Sequence, residues 1–139
     1  AIRTKRWDEP QEAEDGLRIL ITRFRPRGLP KEKETWDIWR KELAPSPDLV
    51  KAYREKDPSH KSITWEVYRS RYLKEMQDPA ARAQIEKLAD AVAAGHTITL
   101  LCSSTCYRES RCHRSLLKQL IEEEVARRTP AGPSSTGRK

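Results

Sequence analysis

Residues 97–117 read Thr-Ile-Thr-Leu-Leu-Cys-Ser-Ser-Thr-Cys-Tyr-Arg-Glu-Ser-Arg-Cys-His-Arg-Ser-Leu-Leu. Thr97 to Leu101 is apolar or β-branched and ends in Cys102, so it predicts a strand, Ile98 to Cys102, buried on both faces. A polar stretch follows. Cys112-His113-Arg114 then opens an amphipathic run in which Leu116, Leu117, Leu120, Ile121 and Val125 recur at helical spacing, predicting a helix from about Cys112 to Arg127. Strand–loop–helix is the unit of a parallel α/β sheet. Its loop brings a strand end and a helix N-terminus together, which is where such sheets place their sites.

The same grammar holds upstream. Ile2 to Trp7 is a short strand candidate, and Asp8 to Gly16 is acidic and turn-like. Leu17 to Phe24 is rich in Leu and Ile and predicts a second strand. Two prolines and a glycine in Arg25-Pro26-Arg27-Gly28-Leu29-Pro30 force a loop after it. Residues 35–41, in which Trp36 and Ile38 alternate with polar neighbours, predict a third strand. Ser46-Pro47 and Asp78-Pro79 each pair a capping side chain with a first-turn proline. They predict helices over Pro47–Glu55 and from Pro79 to Ala94, the second closed by Gly95. Between them Thr64 caps a helix reaching Met76, with Val67, Tyr68, Tyr72 and Met76 turned inward. Strands separated by helices predict a small Rossmann-like, three-layer α/β domain with a short, mainly parallel sheet over residues 1–128. Residues 129–139, made of Pro, Gly, Ser, Thr and basic residues, predict a disordered tail.

Composition narrows the function. In a chain of 139 residues, 36% are hydrophobic and 35% charged, so the core is modest and the surface strongly ionic. The 28 Lys and Arg against 21 Asp and Glu give a net charge of +7, which favours anionic partners, although the same charge also serves solubility. No apolar run approaches the ~20 residues of a membrane span. Ala1 to Glu14 has no apolar core of the signal-peptide kind, and three cysteines suit reduced thiols better than a secreted disulfide framework. The expectation is a cytoplasmic protein away from membranes.

Two constellations carry chemistry. One is the cysteine loop. Cys102, Cys112 and His113 are the candidate catalytic residues, as nucleophile and proton carrier, with Arg114 as a clamp for an anion. Cys102 and Arg108 have the Cys-x5-Arg spacing of cysteine-dependent phosphatases, but the intervening residues lack the glycine a tight phosphate cradle needs. Cys102, Cys106, Cys112 and His113 are four possible ligands, a Cys3His set. Their spacing is not that of paired zinc knuckles, and no metal or cofactor is expected. The structural alternative makes Cys102 a small buried residue and lets His113 and Arg114 bond backbone carbonyls. The other constellation, Arg23-Phe24-Arg25-Pro26-Arg27-Gly28-Leu29, also follows a strand. In a parallel sheet it leaves the same edge, so Arg23, Arg25 and Arg27 join Arg114 as candidate anion-binding residues; a solvated charged loop is the alternative. Trp7, Trp36, Trp39 and Trp65 are expected as core anchors, and His60 and His96 carry no assigned role.

Arg23 to Leu29, then Trp36-Asp37-Ile38-Trp39-Arg40-Lys41-Glu42-Leu43-Ala44-Pro45-Ser46, then an apolar strand ending in cysteine and Cys112-His113-Arg114, resemble the YeaO-like family, the domain of unknown function numbered 488, over roughly residues 2–127. The resemblance implies a small Rossmann-like domain and supplies no activity. Relatives carry Asp-Arg where this chain has Thr22-Arg23, Trp-Pro-Arg-Gly where it has Arg25-Pro26-Arg27-Gly28, and often an acid at the position of Ser104. Those departures shift weight from acid–base catalysis towards binding or thiol chemistry. The leading reading is a basic cleft at the carboxyl edge of the sheet that takes a nucleotide, a nucleic-acid segment or a phosphorylated small molecule. The rivals are a cysteine-dependent enzyme at the Cys102–Arg114 loop and a basic protein-interaction module.

Overall fold

In the computed structural model, which describes residues 1–54, 62–103 and 112–128, β4 (Ile98–Cys102) has all five residues buried. A strand covered on both faces belongs inside a sheet. β1 (Ile2–Arg6) runs parallel to it on one side and β2 (Leu17–Leu20) on the other, with β3 (Ile38–Trp39) beyond β2. The order is β1-β4-β2-β3, parallel throughout. Arg6 pairs with Cys102 and Leu20 with Leu101, so the carboxyl ends of β1, β4 and β2 meet at one edge. The parallel α/β architecture read from the sequence is therefore the one found.

The helices of the described residues are α1 (Pro47–Arg54), α2 (Trp65–Glu75), α3 (Pro79–Ala93) and α4 (His113–Arg128). Their starts are set by local chemistry. The Thr64 hydroxyl accepts from the Val67 amide at 3.2 Å, and the Asp78 carboxylate from the Ala80 amide at 3.2 Å. Each helix lends side chains to one apolar core: Leu49 from α1, Tyr68 and Tyr72 from α2, Ile85 and Leu88 from α3, and Leu116, Leu117 and Ile121 from α4. These pack on Ile19, Ile21, Ile98 and Leu100 of the sheet, and each fully buried aliphatic side chain contributes about 1.5–3 kcal/mol.

Strand side chains alternate, so Arg18, Thr99 and Leu101 face away from that core. They meet the β1–β2 connection, whose single 3-10 turn, Ala13–Asp15, places Asp15 under the sheet. Asp15 and Arg18 are fully buried and form an ion pair. Lys5 Nζ donates to Asp15 at 3.0 Å and to Glu12 at 2.7 Å. Arg18 Nε donates to the Thr35 carbonyl at 2.6 Å, and the Thr99 hydroxyl to the Asp15 carbonyl at 2.7 Å. This far layer is built from polar connections. Gly16 follows at φ +62°, where a Cβ would collide with the Thr97 carbonyl. That carbonyl accepts from the Leu17 amide at 3.0 Å, so the turn closes on β4.

Several boundaries differ from the sequence reading. The second strand ends at Leu20 rather than Phe24, with one further rung from the Ile21 amide to the Leu101 carbonyl at 3.0 Å. The Thr22 carbonyl is then taken by the Trp39 indole N–H at 2.7 Å, and the Thr22 hydroxyl donates to the Phe24 carbonyl at 2.8 Å, which turns the chain out of the sheet. The third strand contracts to Ile38–Trp39. Val67 is 39% exposed rather than part of the inward stripe of α2. None of the tryptophans is fully buried; Trp7 and Trp36 meet edge to face at 6.4 Å. The tail at 129–139 and the expected loop at 56–61 fall outside the described residues.

Burial alone would push the Asp15 carboxyl up, but the Glu12 amide, Lys5 and Arg18 outweigh it and hold it below the ordinary range. Lys5 holds Glu12 low in the same way. Burial would lower Lys5, yet its two carboxylate partners raise it. The carboxylate contributions are therefore present above the ordinary carboxylate range and lost as pH falls through the depressed values. The Lys5 contribution is complete below the ordinary lysine value and lost as pH rises through the raised one. Asp15→Ala, which strands Arg18, should cost about 3–5 kcal/mol in urea unfolding at neutral pH. The variant should also lose less stability than the parent on acidification below about pH 4.

Candidate functional site

β4 ends at Cys102, and Cys112 immediately precedes α4, whose first residue is His113. Parallel pairing and the α4 packing bring these three together. The sulfurs of Cys102 and Cys112 lie 3.1 Å apart, and His113 Nδ1 is 3.8 Å from the first and 4.0 Å from the second. His113 Nε2 is 2.9 Å from the Ile21 carbonyl. A carbonyl only accepts, so Nε2 donates to it, and Nδ1 is the ring atom turned to the sulfurs. The Tyr72 ring lies 5.6 Å from the imidazole. Burial holds the Tyr72 hydroxyl far above its ordinary pKa, so it stays a donor, to the Leu43 carbonyl at 2.8 Å. The start of α4 offers backbone amides and a positive dipole end that favour negative charge beside Cys112.

Cys102, Ser103 and His113 open onto a cleft of about 500 Å³. The β2 loop lends it Thr22, Arg23, Phe24, Pro26 and Arg27; the α1 region lends Pro45, Pro47, Val50 and Lys51; Tyr68 and Trp7 complete it. Arg23 also donates to the Ala44 carbonyl at 3.2 Å and the Pro45 carbonyl at 3.4 Å, tying the two sides together. The segment before α1 is fixed again by Glu75, which accepts from the Ser46 amide at 2.8 Å and hydroxyl at 2.6 Å.

The structure thus gathers Cys102, Cys112, His113, Arg23 and Arg27. It does not bring Arg25 or Arg114 to the cleft wall. Arg25 is held by Glu34 at 2.7 Å and the Leu29 carbonyl at 2.6 Å, with its guanidinium 5.9 Å from the Trp36 ring centre. Arg114 is buried and is not part of the lining. Cys106, Ser104 and Arg108 fall outside the described residues. Sequence reasoning gave no place in the site to Lys51, Tyr68 or Phe24. Phe24 could have been found, because an apolar residue interleaved with three arginines after a strand has little to pack on, and it is 72% exposed. Lys51 carries no such mark, since a lysine on a short amphipathic helix is commonplace.

A parallel α/β sheet with a cleft at its carboxyl edge and a thiol–imidazole cluster within it defines the class of protein. The family model described as the active DUF488-N3 subclade matches residues 2–125, and the chain belongs to the DUF488 family. An uncharacterised protein of Mycobacterium tuberculosis is 31% identical over 120 residues, covering 86% of this chain and 92% of that protein. The uncharacterised protein YeaO of Escherichia coli is 35% identical over 103 residues, 74% of this chain and 83% of its own. No solved structure matches the chain. No helix among the described residues is long and apolar enough to cross a membrane.

The sulfur spacing predicts a specific oxidation product. Diamide, which accepts two electrons and two protons from a thiol pair, should join Cys102 to Cys112 within one chain. Peptide mapping without reductant checks this; a product joining Cys106 to either residue instead would contradict the geometry.

Proposed function

We propose that the cleft binds a small anionic ligand bearing a ring, of the nucleotide or phosphorylated small-molecule class. The observation that carries the reading is the lining itself: Arg23, Arg27 and Lys51 share one concave space with an exposed Phe24. Cations hold phosphate oxygens, and an aromatic face at the rim suits a planar ring. The size fits as well, since small-molecule sites occupy about 300–1,000 Å³. The position outside the carboxyl ends of parallel strands is where such sheets bind their ligands.

Trp7 lines the cleft, so its emission reports binding. Titration with adenosine and guanosine mono- and triphosphates and with ribose 5-phosphate should give saturable, one-to-one binding that weakens with added salt. Arg27→Ala should weaken it about tenfold or more, about 1.4 kcal/mol, whereas Arg25→Ala should change little. No saturable binding to any of these, or equal losses in both variants, would overturn the reading. Binding confined to oligonucleotides would move the ligand class to nucleic acid.

A second reading, thiol chemistry on that ligand, is favoured by Cys102 and His113 both lining the cleft with Nδ1 turned to the sulfurs. A thiolate paired with an imidazole is a nucleophile near neutral pH. Iodoacetamide should alkylate Cys102 at least about tenfold faster than it alkylates glutathione. Equal rates would remove Cys102 as a nucleophile.

A further inference from the structure

We infer that Cys102, Cys112 and His113 form a three-ligand site for a zinc-class divalent ion at the bottom of the cleft. Their donor atoms, two sulfurs and one imidazole nitrogen, all lie within 4.8 Å of one another, and all three residues are buried. Zinc bonds thiolate sulfur at about 2.3 Å and imidazole nitrogen at about 2.0–2.1 Å, so two ligand atoms on one ion stand roughly 3.3–3.8 Å apart. The observed separations, 3.1, 3.8 and 4.0 Å, bracket that range. Side-chain shifts of a few tenths of an ångström would therefore complete the coordination.

The outer contact points the same way. A metal-bound histidine characteristically donates its second ring N–H to a carbonyl or carboxylate, which fixes its tautomer and aim. His113 does this through Nε2 to the Ile21 carbonyl at 2.9 Å, leaving Nδ1 as the ligating atom. The donor set selects the ion. Two thiolates and an imidazole suit zinc and disfavour magnesium or calcium, which take oxygen. Among the described residues the site has three protein ligands, the number that reactive zinc sites use with their fourth position open to water or substrate. Cys102 and His113 line the cleft, so that fourth position is reached from the ligand space. Loading is an exchange in which two thiols release two protons and a dication takes their place, so the site is electrically neutral when filled. The Arg23, Arg27 and Lys51 rim then still attracts an anion, which can take the fourth position. The ion site does not depend on the anion reading, because its ligands are distinct from the cationic rim.

The experiment is a metal titration of reduced, metal-stripped protein without any anionic ligand, so its failure leaves nucleotide binding untouched. Zinc should bind one ion per chain in competition with a chromophoric chelator. Calorimetry below the thiol titration range, in buffers of different ionisation enthalpy, should show about two protons released. Cobalt(II) should give tetrahedral d–d bands and a sulfur-to-cobalt charge-transfer band of two-thiolate intensity. Cys112→Ser should halve that band and weaken zinc binding about a hundredfold, and His113→Ala should weaken it comparably, both with unchanged far-ultraviolet circular dichroism. Arg27→Ala should retain full metal binding. Weak, non-stoichiometric uptake by the parent protein would overturn the inference. So would a band of one or three thiolates, or binding unaffected by the two site variants. The thiolate intensity is read on the parent protein, so the test survives even if a site variant fails to fold.

Discussion

The fold depends on β4 being paired in parallel on both sides. Its neighbours β1 and β2 are locked to it rung for rung, Ile2 to Ile98 through Arg6 to Cys102 on one flank and Leu17 to Ile98 through Leu20 to Leu101 on the other. Parallel pairing sends every following segment out of the same edge. Thr22 after β2 and Ser103 after β4 therefore line one cleft although they are far apart in sequence. The Ile21 carbonyl, one residue beyond the β2 ladder, then sits where His113 can donate to it. A one-residue slip of β2 against β4 would turn its side chains to the opposite faces. It would also withdraw that carbonyl and expose Arg18 to the apolar core.

Register is protected from both faces. On the helix side Ile19, Ile98 and Leu100 fit the core. On the other side Arg18 and Lys5 both pair with the Asp15 carboxylate, and the Thr99 hydroxyl meets the Asp15 backbone. Buried ion pairs are weak sources of net stability but strong penalties on misplacement, because a stranded charge is costly. The cluster therefore serves to fix β2 and the 3-10 turn against β4. Gly16 belongs to the same device, since the turn can approach the Thr97 carbonyl only without a Cβ.

The parts of this design that were legible in the sequence are those written in local periodicity. The run ending at Cys102, the cap-and-proline starts at Ser46-Pro47 and Asp78-Pro79, and the leucine stripe of α4 need no distant partner to be read. The end of β2 was not legible, because what stops the strand at Leu20 is the Trp39 indole reaching the Thr22 carbonyl from another segment. Arg18 sits inside a run that reads as a buried strand, and its buried partner comes from the preceding turn. For the site, the strand-end loops announced the location. The division of labour among the arginines did not show, because Glu34 and Trp36, which hold Arg25 away from the cleft, are distant in sequence. Lys51 and Tyr68 reach the cleft only through the packing of α1 and α2.

The same geometry explains why a cluster whose ligand spacing looked wrong in sequence can still be a metal-binding set. Zinc knuckles place ligands close along the chain because a small domain has little else to position them. Here the sheet and α4 do the positioning. Cys102 is fixed by β4, Cys112 and His113 by the helix start, and the imidazole is aimed from behind by a carbonyl of β2. Cys112 and His113 are adjacent in sequence, and at the helix start both donor atoms turn to Cys102. The catalytic candidates Cys102, Cys112 and His113 are thus the same residues as the three-ligand cluster. Its chemistry is decided by what occupies the space between them: a proton pair, a disulfide bond or a dication.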